Sequence, residues 1–260
     1  MTRKLNNAKA LYLEGIRDGK VREAVTRYTG ARYTQHSTGV ADGVEGFVAF
    51  FTDFVARCPV REIEIVRGFE DGQHVFVQAY QNINQGEARW LTMDLFDTDE
   101  DDRIIEHWDV ISAVTDESVS GHSQFDGPTA ITDLERTDAN KALIQAYVET
   151  VLLGGHFSEA PRFISGDQLT QHNPFIADGL DGLARYTESL AADGRPLRYT
   201  HLFKLIGQGN FVVTYAGMSL GQEDYAVFDL YRIEEGKIVE HWDNLEPIPP
   251  RDTWANSGKF

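Results

Sequence analysis

Apolar and polar positions alternate along this chain in two distinct periods, and each period occurs twice. Ala8 to Tyr28 and Ala139 to Phe163 carry apolar residues at helical spacing, interrupted by Asp18-Gly19 and by Gly154-Gly155, so each stretch predicts two consecutive helices with a glycine-marked turn. Val44 to Val55 and Leu180 to Leu190 predict a third helix, each entered through Asp-Gly. The period then falls to two. Glu62 to Arg67, His74 to Tyr80, Arg89 to Phe96 and Arg103 to Trp108 alternate or cluster as strands, with turn residues between them, and the second half repeats the series. Helices followed by four short-linked antiparallel strands predict an α+β fold in which the helices cover one face of a curved sheet.

The repetition extends to identities. Thr34-Gln35-His36-Ser37-Thr38-Gly39-Val40-Ala41-Asp42-Gly43 and Thr170-Gln171-His172-Asn173-Pro174-Phe175-Ile176-Ala177-Asp178-Gly179 share six of ten residues at an offset of 136. Ile104-Ile105-Glu106-His107-Trp108-Asp109 and Ile238-Val239-Glu240-His241-Trp242-Asp243 share five of six at an offset of 134. A tandem duplication follows, with units long enough to bury a core each. The boundaries expected are a first domain over 1–114, a Ser/Thr/Asp/Gly-rich linker over 115–136, a second domain over 137–248 and an aperiodic tail over 249–260.

Composition narrows the function classes. The formal charge of −17 disfavours nucleic acid and anionic membrane surfaces as partners. The single cysteine, Cys58, excludes an internal disulfide and lacks features that would make it a nucleophile. No apolar run reaches secretory or membrane-spanning length, so a cytoplasmic protein is expected. Walker, dinucleotide-binding and Gly-x-Ser-x-Gly patterns are all missing from the sequence, which removes nucleotide and serine-hydrolase chemistry.

Asp94 and Asp229 are the most informative candidates, because each interrupts an otherwise apolar strand where a lone carboxylate is costly to bury. On the wall of a water-poor cavity such a group becomes a general acid or base; on a solvated face, or paired with arginine, it does neither. His36 and His172 are second candidates, either as proton shuttles or as ties that hydrogen-bond a carbonyl and hold the loop before the third helix. In the Glu-His-Trp-Asp blocks, alternation puts His107 with Asp109, and His241 with Asp243, on one strand face. Two groups fall short of the three protein ligands of a catalytic zinc, so no metal is expected, and packing is the natural use of Trp108 and Trp242.

The order of these motifs, two helices, Gln-His, Ala-Asp-Gly, a third helix, then strands ending in Asp229-Leu230-Tyr231 and Gly236-Lys237-Ile238-Val239-Glu240-His241-Trp242-Asp243, resembles the SnoaL-like polyketide cyclases. That family belongs to the nuclear-transport-factor-2-like superfamily, which also holds ketosteroid isomerases. The resemblance covers both units and implies two cone-shaped domains, each with three helices on a curved sheet that wraps a hydrophobic pocket. It implies a strand aspartate, here Asp94 and Asp229, as general acid/base in aldol-type ring closure on a hydrophobic carbonyl compound, without a cofactor. The family's pocket histidine maps to Gln78 and Tyr215; Tyr215 with His172 would stabilise an enolate, and His36 would serve the first unit. Gln78, His107, Trp108, His241 and Trp242 are the expected substrate contacts. It further implies pairing of the two domains as an intramolecular pseudo-dimer. A non-catalytic binder or scaffold, and a dehydratase or epoxide hydrolase, are the competing functions.

Overall fold

The fold is that of a computed structural model, which describes residues 2–260. The chain divides into two compact units, one formed by the residues up to Ala113 together with Pro249–Phe260, the other by Val114–Ile248. Each is an α+β unit built on one five-stranded sheet.

In the first unit α1 (Arg3–Ala10) runs on without a break into a π-helical segment, Leu11–Arg17, and α2 (Val21–Tyr28) follows the Gly19 turn. β1 (Thr29–Gln35) leads to α3 (Gly43–Arg57), then to β2 (Arg61–Asp71), β3 (His74–Ile83), β4 (Ala88–Thr98) and β5 (Ile104–Ala113). The sheet order is β1-β5-β4-β3-β2, with β1 parallel to β5 and all other pairs antiparallel. The four antiparallel strands agree with the period-two reading. The parallel fifth was not expected, because Thr29–Gln35 is too polar to alternate clearly.

The second unit repeats the plan with α4 (Thr137–Tyr147) continuing into a π-helical segment, Val148–Leu153, and a 3-10 turn, Phe157–Arg162, where a second α-helix was expected. Pro161 lies inside that turn and removes a backbone donor, which disfavours an α-helix there. β6 (Thr170–Gln171), α5 (Gly179–Ala192), β7 (Leu197–Gln208), β8 (Phe211–Leu220), β9 (Glu223–Glu234) and β10 (Lys237–Pro247) complete a sheet of order β6-β10-β9-β8-β7, with β6 parallel to β10. Matched strands and strand order, and matched first and third helices, make the duplication structural as well as sequential.

The recurrent Gln-His…Ala-Asp-Gly motif closes the loop before each third helix. The Gln35 backbone N–H donates to Asp42 Oδ1 at 2.8 Å, and Gln171 N–H donates to Asp178 Oδ1 at the same distance. Gly43 and Gly179 then turn with φ of +80° and +78°, a region costly for other residues. α3 buries Phe47 and Phe54, two helical turns apart, with Val44, Phe51 and Val55 packed beside them. Each fully buried Phe of this kind contributes about 1.5–3 kcal/mol.

The expected linker and tail are parts of the two units. The segment after β5 packs on the second unit: Val119 N–H donates to Pro174 O at 2.9 Å and Ser120 Oγ donates to Gln171 O at 2.7 Å. The segment after β10 packs on the first: Ala255 N–H donates to Thr38 O at 2.8 Å and Asn256 Nδ2 donates to Ser37 O at 2.6 Å. Neither has a hydrophobic period because backbone and side-chain hydrogen bonds, rather than an apolar face, fix them.

Two equivalent glycines test the shared design. A Cβ on Gly46 would lie 2.0 Å from Ala41 O, and one on Gly182 would lie 2.0 Å from Ala177 O. Gly46→Ala and Gly182→Ala are each expected to destabilise by about 1–3 kcal/mol through forced backbone shifts, read as a lower urea midpoint. A midpoint unchanged in both would refute the tight helix-loop contact.

Candidate active sites

Strand register creates a matched cluster in each unit. Asp94 on β4 is paired across from Asp109 on β5, and Asp229 on β9 is paired across from Asp243 on β10. Directly opposed side chains share a face, and so does the diagonal neighbour two residues away, which brings in His107 and His241. Like charges so placed repel, and burial magnifies the repulsion; protons, donors or a cation have to offset it.

In the second unit His241 Nε2 lies 3.1 Å from Asp229 Oδ1. Its Nδ1 lies 3.1 Å from Gln171 Oε1, because parallel pairing of β6 with β10 sets Gln171 beside His241. The Asn173 backbone N–H also donates to Gln171 Oε1 at 3.0 Å, which fixes the amide orientation and puts a proton on His241 Nδ1. The Tyr199 hydroxyl donates to Asp229, 3.0 Å from both carboxyl oxygens, and Asn173 Nδ2 donates to both oxygens of Asp243, at 3.0 and 2.8 Å.

The first unit reproduces the chain of contacts with different donors. His107 Nε2 lies 2.9 Å from Asp94 Oδ1 and its Nδ1 lies 2.9 Å from Gln35 Oε1. The phenol on the strand aspartate comes from the helical segment: Tyr12 donates to Asp94 Oδ1 at 2.7 Å. Beside Asp109 stands Lys259, 1% exposed, whose Nζ donates to Asp109 Oδ1 and to Asp109 O, both at 3.0 Å.

These surroundings set the protonation equilibria. Burial pushes the Asp243 carboxyl up to about 6, with Asp229 adding to the rise and His241 and Asn173 opposing it. Burial lowers His241, but its hydrogen bond with Asp229 and the charges of Asp243 and Asp229 outweigh it and hold the ring above its ordinary value. In the first unit burial raises Asp94 against the pull of His107 and Tyr12. Burial also raises Asp109, yet the charges of Lys259 and His107 and hydrogen bonds from Lys259 and Ser37 bring it below the usual carboxylate range. Burial and Asp94 raise Tyr12, and burial and Asp229 raise Tyr199, so both phenols stay protonated donors at neutral pH.

Each cluster borders a cavity. Asp229, His241 and Asp243 all line a small cavity of about 50 Å³ walled by Leu183, Tyr186, Leu197 and Met218. The cavity in the first unit, about 280 Å³, is walled by Phe47, Phe51, Phe54 and Trp90 and meets His107 and Asp109. Asp94 is fully buried and is not on its wall; Tyr12 and His107 stand between.

The other sequence candidates lie elsewhere. Tyr215 is paired with Phe228, next to the Thr214–Asp229 pair, so it points to the opposite sheet face from Asp229 and stacks on Phe228 at 4.4 Å. Gln78 is likewise one residue out of step with Val77, the cross-strand partner of Asp94, and its Oε1 accepts from Arg67 at 2.7 Å. Trp108 and Trp242 also face away from the cavities and stack on His36 and His172, at 4.8 and 4.6 Å. Those two histidines hold carbonyls, as the second reading of them had it: His36 Nδ1 lies 2.5 Å from Gly258 O and His172 Nδ1 lies 2.7 Å from Ser123 O, while their Nε2 atoms bind Glu106 and Glu240. The structure thus brings Asp229 and His241 together at one cavity and His107 to the other. Asp109 and Asp243 were missed because the register that sets them against Asp94 and Asp229 is not visible along one strand.

Register also supplies the third metal-ligand type that one strand lacks. Asp94, His107 and Asp109, and Asp229, His241 and Asp243, each offer atoms within 4.8 Å of one another. The donor set of the second unit fits a cation poorly, whereas in the first unit Asp94 Oδ2 is buried without a hydrogen-bond partner. The Lys259 ammonium already lies against Asp109, and O–H or N–H donors already bind both oxygens of Asp229 and of Asp243.

No protein-family model matches the chain, and no curated protein matches it. Among solved structures it is similar to a candidate ketosteroid isomerase from Kribbella flavida, with 18% identity, 45% of this chain and 87% of the other covered, and a TM-score of 0.37. It is also similar to a candidate polyketide cyclase from Bacillus cereus, with 16% identity, coverage of 42% and 74%, and a TM-score of 0.38. A candidate SnoaL-like polyketide cyclase from Jannaschia gives 21% identity, coverage of 42% and 85%, and a TM-score of 0.36.

The Asp243 environment has a sign that stability can read. Its carboxyl rises from an ordinary 3.8 to about 6 in the folded chain, so between these values the folded state holds a proton that the unfolded state releases. The stability this contributes is complete below about pH 4 and lost as pH rises through 6. Asp243→Asn is therefore expected to gain urea resistance over the native chain more at pH 7.5 than at pH 4.5. An equal offset at both values would contradict a raised Asp243.

Proposed function

We propose that the chain is an acid–base catalyst of carbon–carbon bond rearrangement, a cyclase, isomerase or lyase, acting on a hydrophobic carbonyl compound in the second unit's cavity. The observation that carries this reading is Asp243, a carboxyl raised to about 6 on an otherwise largely apolar cavity wall and backed by His241 and Asp229. A base with this affinity is well matched to proton transfer near neutrality.

In the reaction, the Asp243 carboxylate takes a proton from the carbon next to a carbonyl, breaking the C–H bond and leaving an enolate. His241, held above its ordinary value, offers the positive charge that offsets the enolate, while the Tyr199 hydroxyl donates to Asp229 and weakens that carboxylate's opposing charge. The enolate carbon attacks a second carbonyl of the same molecule in a ring closure, and the resulting alkoxide takes the proton back from Asp243. Return of the proton to a different carbon of the enolate instead gives an isomerisation. Both courses regenerate the carboxylate and consume no other reactant. The apolar walls exclude water and strengthen these interactions.

The test is proton exchange. With 2-tetralone in D2O followed by proton NMR, the chain is expected to speed deuterium uptake next to the carbonyl. Asp243→Asn should lower the rate at least 100-fold and Tyr199→Phe about tenfold, in keeping with loss of a base and of one hydrogen-bond donor. Tyr215→Phe, on the other sheet face, should leave it within twofold. Unchanged exchange in Asp243→Asn would refute the assignment.

A further inference from the structure

The two clusters differ most at the position beside the second aspartate, and the difference comes from the packed segments. Gly258 O and Ser123 O accept the same bond, from His36 and from His172, which puts Lys259 and Gln124 in equivalent places one residue on. Phe260 and Phe125 follow in turn. Lys259 carries an ammonium to Asp109, whereas Gln124 is neutral and its Oε1 accepts the Thr115 backbone N–H at 2.8 Å.

We propose that Lys259 is a positioning residue that assigns the two sites different work: delivered by the carboxy-terminal segment, it fixes Asp109 as a carboxylate counter-ion and withholds the first unit from proton transfer, leaving that chemistry to the second. The assignment of acid–base chemistry to the second unit rests on the function proposed above. The action of Lys259 on Asp109 stands on geometry of its own.

The groups that face Asp109 support it. Asp94 faces it from β4, His107 from its own strand, Ser37 from the loop after β1, and the phenols of Tyr12 and Tyr33 from the helical segment and β1. Lys259 is the cation that the carboxy-terminal segment adds to this set, and it binds both the side chain and the backbone carbonyl of Asp109. The pair is buried, so solvent screens it little and the carboxylate is held strongly. At Asp243 the side-chain donor is Asn173, the counterpart of Ser37, a neutral group that orients the carboxyl without fixing its charge. Access differs in the same sense: Asp229 lines its cavity, whereas Asp94 is sealed behind His107 and Tyr12.

Carboxyl 13C NMR of the full chain labelled at aspartate Cγ tests this, with Asp109→Asn to assign the signal. The native chain is expected to show no Asp109 midpoint between pH 5 and 8. Lys259→Gln should move a midpoint into that range and Lys259→Arg should not. A native midpoint in that range, or an Asp109 signal that ignores Lys259→Gln, would overturn the proposal. In the 2-tetralone assay, Lys259→Gln added to Asp243→Asn should raise exchange at least tenfold over Asp243→Asn alone. No rise, with Asp109 now titrating, would overturn the division of work while leaving the Lys259–Asp109 linkage intact. A native chain without exchange would sink the proposed function, and the carboxyl titration would still read Lys259.

Discussion

An aspartate buried in the middle of an apolar strand, directly across from a second aspartate, is the constraint that organises both halves of this protein. Two carboxylates so placed cannot both stay charged without help. The help arrives in the same form twice: a histidine on the neighbouring strand is hydrogen-bonded to the first aspartate, and a glutamine from the parallel edge strand fixes the histidine's other nitrogen. β1 and β6 are short, yet without them neither glutamine would reach its ring. The smallest strands in the sheets thus fix the histidines that stand beside the most buried carboxyls.

Beyond that shared frame the halves solve the same electrostatic problem with different side chains. The phenol that donates to the strand aspartate comes from a π-helical segment in the first unit and from an edge strand in the second, and the duplicated position of Tyr12 is Ile144. Both units therefore place a phenol donor at that carboxylate, from different elements. The second aspartate diverged in charge as well as identity, with a lysine in one unit and an asparagine in the other. A duplicated pocket with one aspartate pinned and one free to titrate fits a chain in which one site does chemistry and the other is free to take another role.

Much of the fold was legible in the sequence, since helix and strand periods are local and the duplication shows every element twice. The parallel edge strands were not, because one has a weak alternation and the other is two residues long. Of the site, Asp229 and the two histidines of the Glu-His-Trp-Asp blocks were legible from their chemistry and spacing. Asp109 and Asp243 stood in the same blocks and passed as neighbours of those histidines, because their partners lie on another strand. Gln78 and Tyr215 failed by a single residue, which in a strand is a whole face. Lys259 had no local signal: it lies near the chain end, and only the return of that segment to the first unit gives it a function.

The most direct measurement of the account is the ionisation of Asp243 itself. The carboxyl 13C signal that disappears in Asp243→Asn, followed from pH 4 to 8 in the full chain, should titrate with a midpoint near 6. A midpoint below about 4.5, in the range of an ordinary exposed carboxyl, would mean that the cavity does not tune its aspartate and that the proposed base is not one.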